Sequence, residues 1–249
     1  MITYGLIGFP LTHSWSVKYF SEKFRDENIY GKKYCLFPVK SIDEFPALID
    51  QNIDLAGLNV TIPYKGKVIQ FLDEIDDTAK EIGAVNTIQI FRKNGKVILK
   101  GFNTDAEAFR VSANFTGHSK ALVLGTGGAA KAVRHALNGL GIQSLFVSRN
   151  AKYPGTIGYS ELSPGLIYEY TLIINATPLG MYPEIDSFPP IPYQYLSNRH
   201  FLYDLVYNPE LTRFLQNGKG KKAKIQNGLK MLQIQADKSY EIWNSPKEI

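Results

Sequence analysis

The sequence predicts an α/β protein of two domains, and three observations carry that expectation. Short apolar runs of strand character alternate with runs of helical spacing along the 249 residues, the order that produces largely parallel sheets. A glycine-rich loop, Gly125-Thr126-Gly127-Gly128-Ala129-Ala130, falls between one such strand and one such helix. A break near residue 103 separates an N-terminal part from the part that carries this loop.

Residues 2–8 are apolar and end in Gly-Phe-Pro, a strand followed by a turn. Trp15, Tyr19, Phe20 and Phe24 recur at helical spacing and predict a helix over 14–29. A strand follows at 33–39. Ser41 with Glu44 three residues on reads as a capping box that opens the next helix. Residues 56–61 form a strand that Pro63 stops, and helices are expected at 65–72 and 76–82. The apolar runs 85–91 and 97–102 flank Asn94-Gly95, a strong hairpin signal. A helix at 105–114 begins after Asn103-Thr104, either of which suits its N-cap. Beyond it come a strand at 120–125, a helix from Gly127 to Leu140 ended by Gly141, and a strand at 143–148. Strands at 171–176 and 200–206 bracket a proline-rich connection at 183–192, and a long helix spans 228–244.

Hydrophobic residues make up 44% and charged residues 20%, which excludes a disordered chain. No run of eighteen apolar residues and no signal-peptide pattern occurs, so a cytoplasmic protein is expected. The single cysteine, Cys35, lies in an apolar run and reads as a packed thiol in a buried strand. Net charge is +5 and the sequence pI about 9.0. Such a balance suits either nucleic acid or an acidic, phosphorylated small ligand. The densest lysines, Lys219, Lys221, Lys222 and Lys224, read as a solvated, glycine-punctuated loop. Aromatic residues are scattered over the expected strands, which fits core packing better than a base-stacking surface. His118, His135 and His200 show no ligand spacing, so no metal is expected.

The glycine loop matches G-x-G-x-x-A in its required strand–loop–helix setting. Gly125 permits the tight turn, Gly127 lets the backbone approach a pyrophosphate, and Ala130 lets helix and strand pack closely. The helix N-terminus offers N–H groups to the phosphates. The next strand ends in Ser148-Arg149-Asn150 with Lys152 beyond, where an NAD site would place an acidic residue on the ribose. A guanidinium can pair with a 2′-phosphate, so NADP is expected over NAD.

Four polar clusters stand at expected strand ends: His13-Ser14-Trp15-Ser16, Asn59 through Lys65, Gly83 through Thr87, and Gly101 through Asp105. Strand ends are where open α/β sheets bind ligands. Serine, Asn, Thr and Asp suit a polyhydroxylated carboxylate. Lys65 and Asp105 form a natural acid–base pair for a ketone reduction. Spacing alone leaves Lys65 open to a surface role, Asp105 to a helix-dipole role and His13 to a turn role.

These clusters in this order resemble the shikimate dehydrogenase family, whose pattern has S-x-S, N-V-T-x-P-x-K, G-A-V-N-T and G-x-N-T-D. The chain also carries N-A-T-P-x-G-M at 175–181, D-x-x-Y-N-P at 204–209 and G-L-x-M-L-x-x-Q at 228–235, so the likeness covers nearly all of it. The resemblance implies a substrate domain of 1–103 plus 228–249, the last helix returning to it, and an NADP-binding Rossmann domain of 104–227. It implies substrate contacts from Ser14, Ser16, Asn59, Thr61, Asn86, Asp105, Tyr207 and Gln235, with Lys65 as acid/base and Asp105 beside it. It implies NADP contacts from Gly125, Thr126, Gly127, Gly128, Ala129, Ala130, Ser148, Arg149, Asn150, Lys152, Ala176, Thr177, Leu205 and Gly228. The implied reaction is reversible, NADPH-dependent reduction of 3-dehydroshikimate to shikimate, by a monomer or a homodimer. Two departures stand out. Ser148-Arg149-Asn150 replaces the family's usual N-R-T, and 150–170 is short, so one helix there is expected to be reduced. A dual-specificity quinate/shikimate dehydrogenase, a different two-domain enzyme such as a methylenetetrahydrofolate dehydrogenase (which the S-x-S and G-x-N-T-D runs argue against), an NADP-binding sensor without activity and a nucleic-acid-binding protein are the competing readings.

Overall fold

The computed structural model describes the chain apart from residues 12–13, 152–153 and 247–249. It divides into two compact units. The first is Met1–Thr104 with Ala236–Ile249, the second Asp105–Gln235.

In the first unit, β1 (Ile2–Gly8), β2 (Lys32–Pro38), β3 (Leu55–Val60), β4 (Glu74–Ile75), β5 (Thr87–Lys93) and β6 (Lys96–Phe102) form one sheet in the order β2-β1-β3-β5-β6-β4. The sheet is mixed. β1 runs parallel to β2 and β3, whereas β5 runs antiparallel to β3 and β6. The Asn94-Gly95 turn forces the β5–β6 pairing, with both residues at positive φ (52° and 76°), the twist a two-residue hairpin needs. Helices α1 (Trp15–Asp26), α2 (Phe45–Gln51) and α3 (Asp77–Ile82) cover the faces. The Ser41/Glu44 capping box forms, but it opens a single 3-10 turn that leads into α2.

Side chains alternate across this sheet. Ile7, Leu58, Val60, Ile88 and Ile90 pack with Phe45, Leu48 and Val68 on one face. Tyr4, Leu6 and Tyr34 join Phe20, Phe24 and Trp243 on the other.

In the second unit, β7 (Lys120–Leu124), β8 (Gln143–Val147), β9 (Thr156–Ile157), β10 (Leu172–Asn175), β11 (Phe201–Asp204) and β12 (Lys224–Gln226) form an all-parallel sheet in the order β12-β11-β10-β7-β8-β9. Strand β7 comes first and its neighbours lead away in opposite directions, the doubly wound order of dinucleotide-binding sheets. Its residues Ala121 to Leu124 are fully buried, as a strand covered on both faces must be. Helices α4 (Asp105–Ser112), α5 (Gly128–Gly139), α6 (Pro164–Glu169) and α7 (Arg213–Gly220) belong to this unit, and α8 (Leu229–Asn244) starts in it and ends in the first. No helix among the described residues is long and apolar enough to cross a membrane.

Some expectations need correction. Cys35 is half-exposed rather than packed, because β2 is an edge strand. The segment 65–72 forms a 3-10 helix, Lys67–Phe71, instead of an α-helix. The lysine-rich loop is the end of α7 and the start of β12, joined by a turn at Lys221 and Lys222. Thr212 caps α7, accepting from the Leu215 N–H, and Gly218 lets the helix lie against Leu202. Strands β4 and β9 are two residues long, too short for any period, yet both pair in register. Between β8 and β9 no helix occurs among the described residues.

The C-terminal half of α8 closes over the first sheet. Trp243 stacks on Tyr4 with ring centroids 4.7 Å apart, and its Nε1 donates to Ile88 O at 3.0 Å. Gly57 faces the indole so closely that a Cβ there would overlap Trp243. Gly57→Ala is therefore expected to lower stability by about 1–3 kcal/mol through overpacking. Urea unfolding checks this, and a midpoint equal to wild type would show that the helix shifts freely.

Candidate active site

Register brings the polar clusters of the first unit to one edge. Ile7 pairs with Val60, Asn59 with Thr87, and Thr87 with Phe102. The ends of β1, β3 and β6 and the start of β5 thus lie side by side. Backbone bonds lock the segments that follow. Val60 N donates to Asn86 O at 2.8 Å, Thr61 N to Ile7 O at 2.9 Å, Asn86 N to Phe102 O at 3.0 Å and Val85 N to Lys65 O at 2.7 Å. The last bond ties the backbone of Lys65 to the Gly83–Thr87 cluster.

A buried network of side chains sits at this edge. The Tyr34 hydroxyl donates to Asn59 Oδ1 at 2.9 Å, and Asn59 Nδ2 donates to Ser239 Oγ at 2.8 Å. Thr87 Oγ1 lies 2.7 Å from Ser239 Oγ. Asn86 Oδ1 accepts from the Thr104 N–H at 2.8 Å, and Asn86 Nδ2 donates to Thr104 Oγ1 at 2.9 Å. Asn103 Nδ2 donates to Ala84 O at 2.8 Å. These bonds assign the amides of Asn59 and Asn86 a single orientation each. The Tyr34 phenol thus ties down one of the expected substrate residues, and burial pushes its pKa up.

Ser14 precedes α1 as its N-cap residue, yet its hydroxyl makes no capping bond. Thr61 and Lys65 are half-buried in the turn after β3. Asp105 is buried as the first residue of α4, directly after Thr104. Tyr207 and Gln235 belong to the second unit, and Gln235 stands one helical turn before Ser239. His13 and Lys152 lie outside the described residues.

The second unit presents a different kind of edge. Gly125 follows β7 at φ 104°, a left-handed conformation that favours glycine, and a Cβ there would come within 3.2 Å of Ala176 O and Thr177 Cγ2. The loop therefore runs against the end of β10, at the point where the sheet's winding reverses. Gly127 is the N-cap of α5 without a side-chain cap, and a Cβ on it would meet nothing within 4 Å. That open space lies where a pyrophosphate would approach the helix N-terminus. Ala130 is fully buried against the sheet. Thr126, Gly128 and Ala129 complete the turn.

Ser148 follows β8, its N–H donating to Ile157 O at 2.9 Å and its hydroxyl accepting from Asn150 N at 3.2 Å. Arg149 is exposed, and its charge opposes the burial that raises the Tyr159 phenol pKa. Leu205 follows β11, and Gly228 packs so closely on the Leu205 carbonyl that no side chain fits. The cradle of glycines and the basic end of β8 fit a dinucleotide with a 2′-phosphate.

Sequence reasoning did not assign Tyr34, Thr87, Thr104 or Ser239 to the site, although it named Thr104 as a candidate N-cap. Thr87 and Thr104 stand inside the quoted clusters, and Ser239 follows Gln235 at i+4, a spacing that shares one helix face. Tyr34 sits in an apolar strand and carries no such signal.

A family model described as the shikimate dehydrogenase substrate binding domain matches residues 6–88. A shikimate dehydrogenase (NADP(+)) of Clostridium beijerinckii is 41% identical over 96% of this chain and 91% of its own. Among solved structures, shikimate dehydrogenase 1 of Peptoclostridium difficile aligns with TM-score 0.85 and 36% identity, over 100% of this chain and 94% of the other. Shikimate 5-dehydrogenase of Thermus thermophilus, in complex with NADP(H) and shikimate, aligns with TM-score 0.84 and 29% identity over 98% and 94%. With a full-length likeness joined to that strand-end geometry, the chain belongs to the shikimate dehydrogenase family.

Proposed function

We propose that this protein is an NADP-dependent shikimate dehydrogenase, interconverting 3-dehydroshikimate and shikimate. The observation that carries the reading is the first unit's strand-end edge, where Asn59, Asn86 and the Lys65 backbone are held in one register. Two oriented amides and the serine hydroxyls of Ser14 and Ser16 suit a ring bearing hydroxyls and a carboxylate. Thr61, Tyr207 and Gln235 complete the assigned substrate contacts.

The second unit takes the cofactor. The residues from Gly125 to Ala130 hold the pyrophosphate with backbone N–H groups, and Ser148, Arg149, Asn150 and Lys152 hold the 2′-phosphate. Ala176, Thr177, Leu205 and Gly228 flank the remainder. NADPH bound there supplies the hydride. The Lys65 ammonium supplies the proton to the carbonyl oxygen and stabilises the charge that develops on it. The Asp105 carboxylate is assigned to align Lys65. In reverse, Lys65 as the free amine takes the hydroxyl proton of shikimate.

Lys65→Ala is expected to lower kcat by about 10²–10⁴-fold with little change in the KM for shikimate, because proton transfer belongs to the transition state. Absorbance at 340 nm follows the reaction, and unchanged kcat would remove the assignment. Arg149→Ala is expected to raise the KM for NADP by roughly 10–100-fold, the value of a charged hydrogen bond, and to leave that for NAD within about twofold. Equal losses with both cofactors would remove its 2′-phosphate role. Turnover of wild-type protein with shikimate and NADP, compared with quinate and with NAD in the other three pairings, tests the reading as a whole.

A further inference from the structure

Asp204 ends β11 with no exposed surface, and none of the steps above uses it. A carboxylate so placed is costly unless donors meet it. Three do. Asn175 Nδ2 donates to Oδ1 at 2.9 Å, the Val206 N–H donates to the same oxygen at 3.0 Å, and Thr212 Oγ1 donates to Oδ2 at 2.6 Å. Asn175 and Thr212 are themselves fully buried. Burial pushes the carboxyl of Asp204 up to about 7, opposed by the same three bonds.

The three donors belong to three segments. Asn175 ends β10, Val206 lies in the connection after β11, and Thr212 caps α7. From Asn175 the bonds run onward. Its Oδ1 accepts from Thr177 Oγ1 at 2.6 Å and from Thr177 N at 3.1 Å, and its Nδ2 also donates to Leu179 O at 3.2 Å. All the hydrogen-bonding capacity of this amide is therefore used. Flipping it would set its oxygen against the Asp204 carboxylate and the Leu179 carbonyl, so the carboxylate decides which way the amide faces. From Val206 the bonds run to Gly228, whose N–H donates to Val206 O at 3.2 Å.

We propose that Asp204 is a positioning residue for the cofactor, holding the segments at Ala176-Thr177, Leu205 and Gly228 in one arrangement through Asn175 and Val206. The proposal rests on the reading of this edge as the NADP site. The carboxylate is fully buried and acts through the backbone and the Thr177 side chain rather than directly. No neutral apolar residue can replace it, since three buried donors would be left unpaired. Asparagine can replace it in part, accepting from Asn175 and Val206 with Oδ1 while its amide nitrogen faces Thr212.

The test compares Asp204→Ala, Asp204→Asn and Asn175→Ala with wild type, by steady-state kinetics at 340 nm and by NADPH fluorescence titration. The expected result is a split. Asp204→Ala and Asn175→Ala raise the KM for NADP about tenfold and leave that for shikimate within about twofold, whereas Asp204→Asn restores the NADP value to within about threefold. If Asp204→Ala does not fold, Asn175→Ala carries the same split. Variants that fold with wild-type NADP binding and only a lower Tm would overturn the proposal by making Asp204 purely structural. Gly125→Ala separates the underlying reading. Loss of NADP binding in that variant supports the cofactor edge, and unchanged binding would overturn that reading together with the proposal.

Discussion

Ser239 reaches the Asn59 amide at 2.8 Å and Trp243 lies over Gly57, and the architecture of the first unit depends on this approach of α8. Each contact answers a physical need. Asn59 is buried in the sheet, and its nitrogen requires an acceptor that no neighbouring strand supplies as closely. Tyr4, Phe20 and Tyr34 form an aromatic face that needs an apolar cover, which Trp243 and Tyr240 supply. Gln89 Nε2, donating to Ile242 O at 2.7 Å, adds a third tie. Lys32 caps the cluster, its ammonium 4.8 Å from the Tyr240 ring centre and 2.8 Å from the Tyr240 hydroxyl. The glycine at position 57 is the complement of the tryptophan, because the indole occupies the space of a Cβ.

The two strand-end edges present different kinds of groups. In the first unit the groups are side chains, and buried neighbours set their orientation: Tyr34 for Asn59, Thr104 for Asn86. A polyol needs donors and acceptors in a fixed pattern, and an amide free to flip would blur it. In the second unit the groups are mostly backbone, exposed by glycines at 125 and 127. A phosphate asks for N–H groups and positive potential, which a helix N-terminus gives without any side chain. Buried polar side chains stand at this edge too, but one layer back, where Asp204, Asn175 and Thr212 join three segments of the chain.

Much of this was legible in advance wherever a short stretch carries its own signal. The Asn94-Gly95 hairpin, the Ser41/Glu44 capping box and the β7–loop–α5 unit all depend on neighbours within a few residues. Less was legible where length or context decides. Strands β4 and β9 have two residues each and exist only because a partner strand lies beside them. Cys35 looked buried from its apolar neighbours, but its exposure follows from β2 standing at the sheet's edge, a property of strand order rather than of the local run.

The sequence by itself determined the α/β class, the dinucleotide loop with its basic strand end, and the polar clusters with their family likeness. Those features are local patterns of residue type, and local backbone preference and periodicity express them directly. Only the tertiary structure decided which polar groups meet. Ser239 contacts a residue 180 positions away, Asn175 one 29 positions away, and Tyr34 reaches Asn59 from a strand with no polar signature. Such pairings are set by sheet register and by the return of α8, since a buried hydrogen bond forms only where packing brings donor and acceptor within about 3 Å.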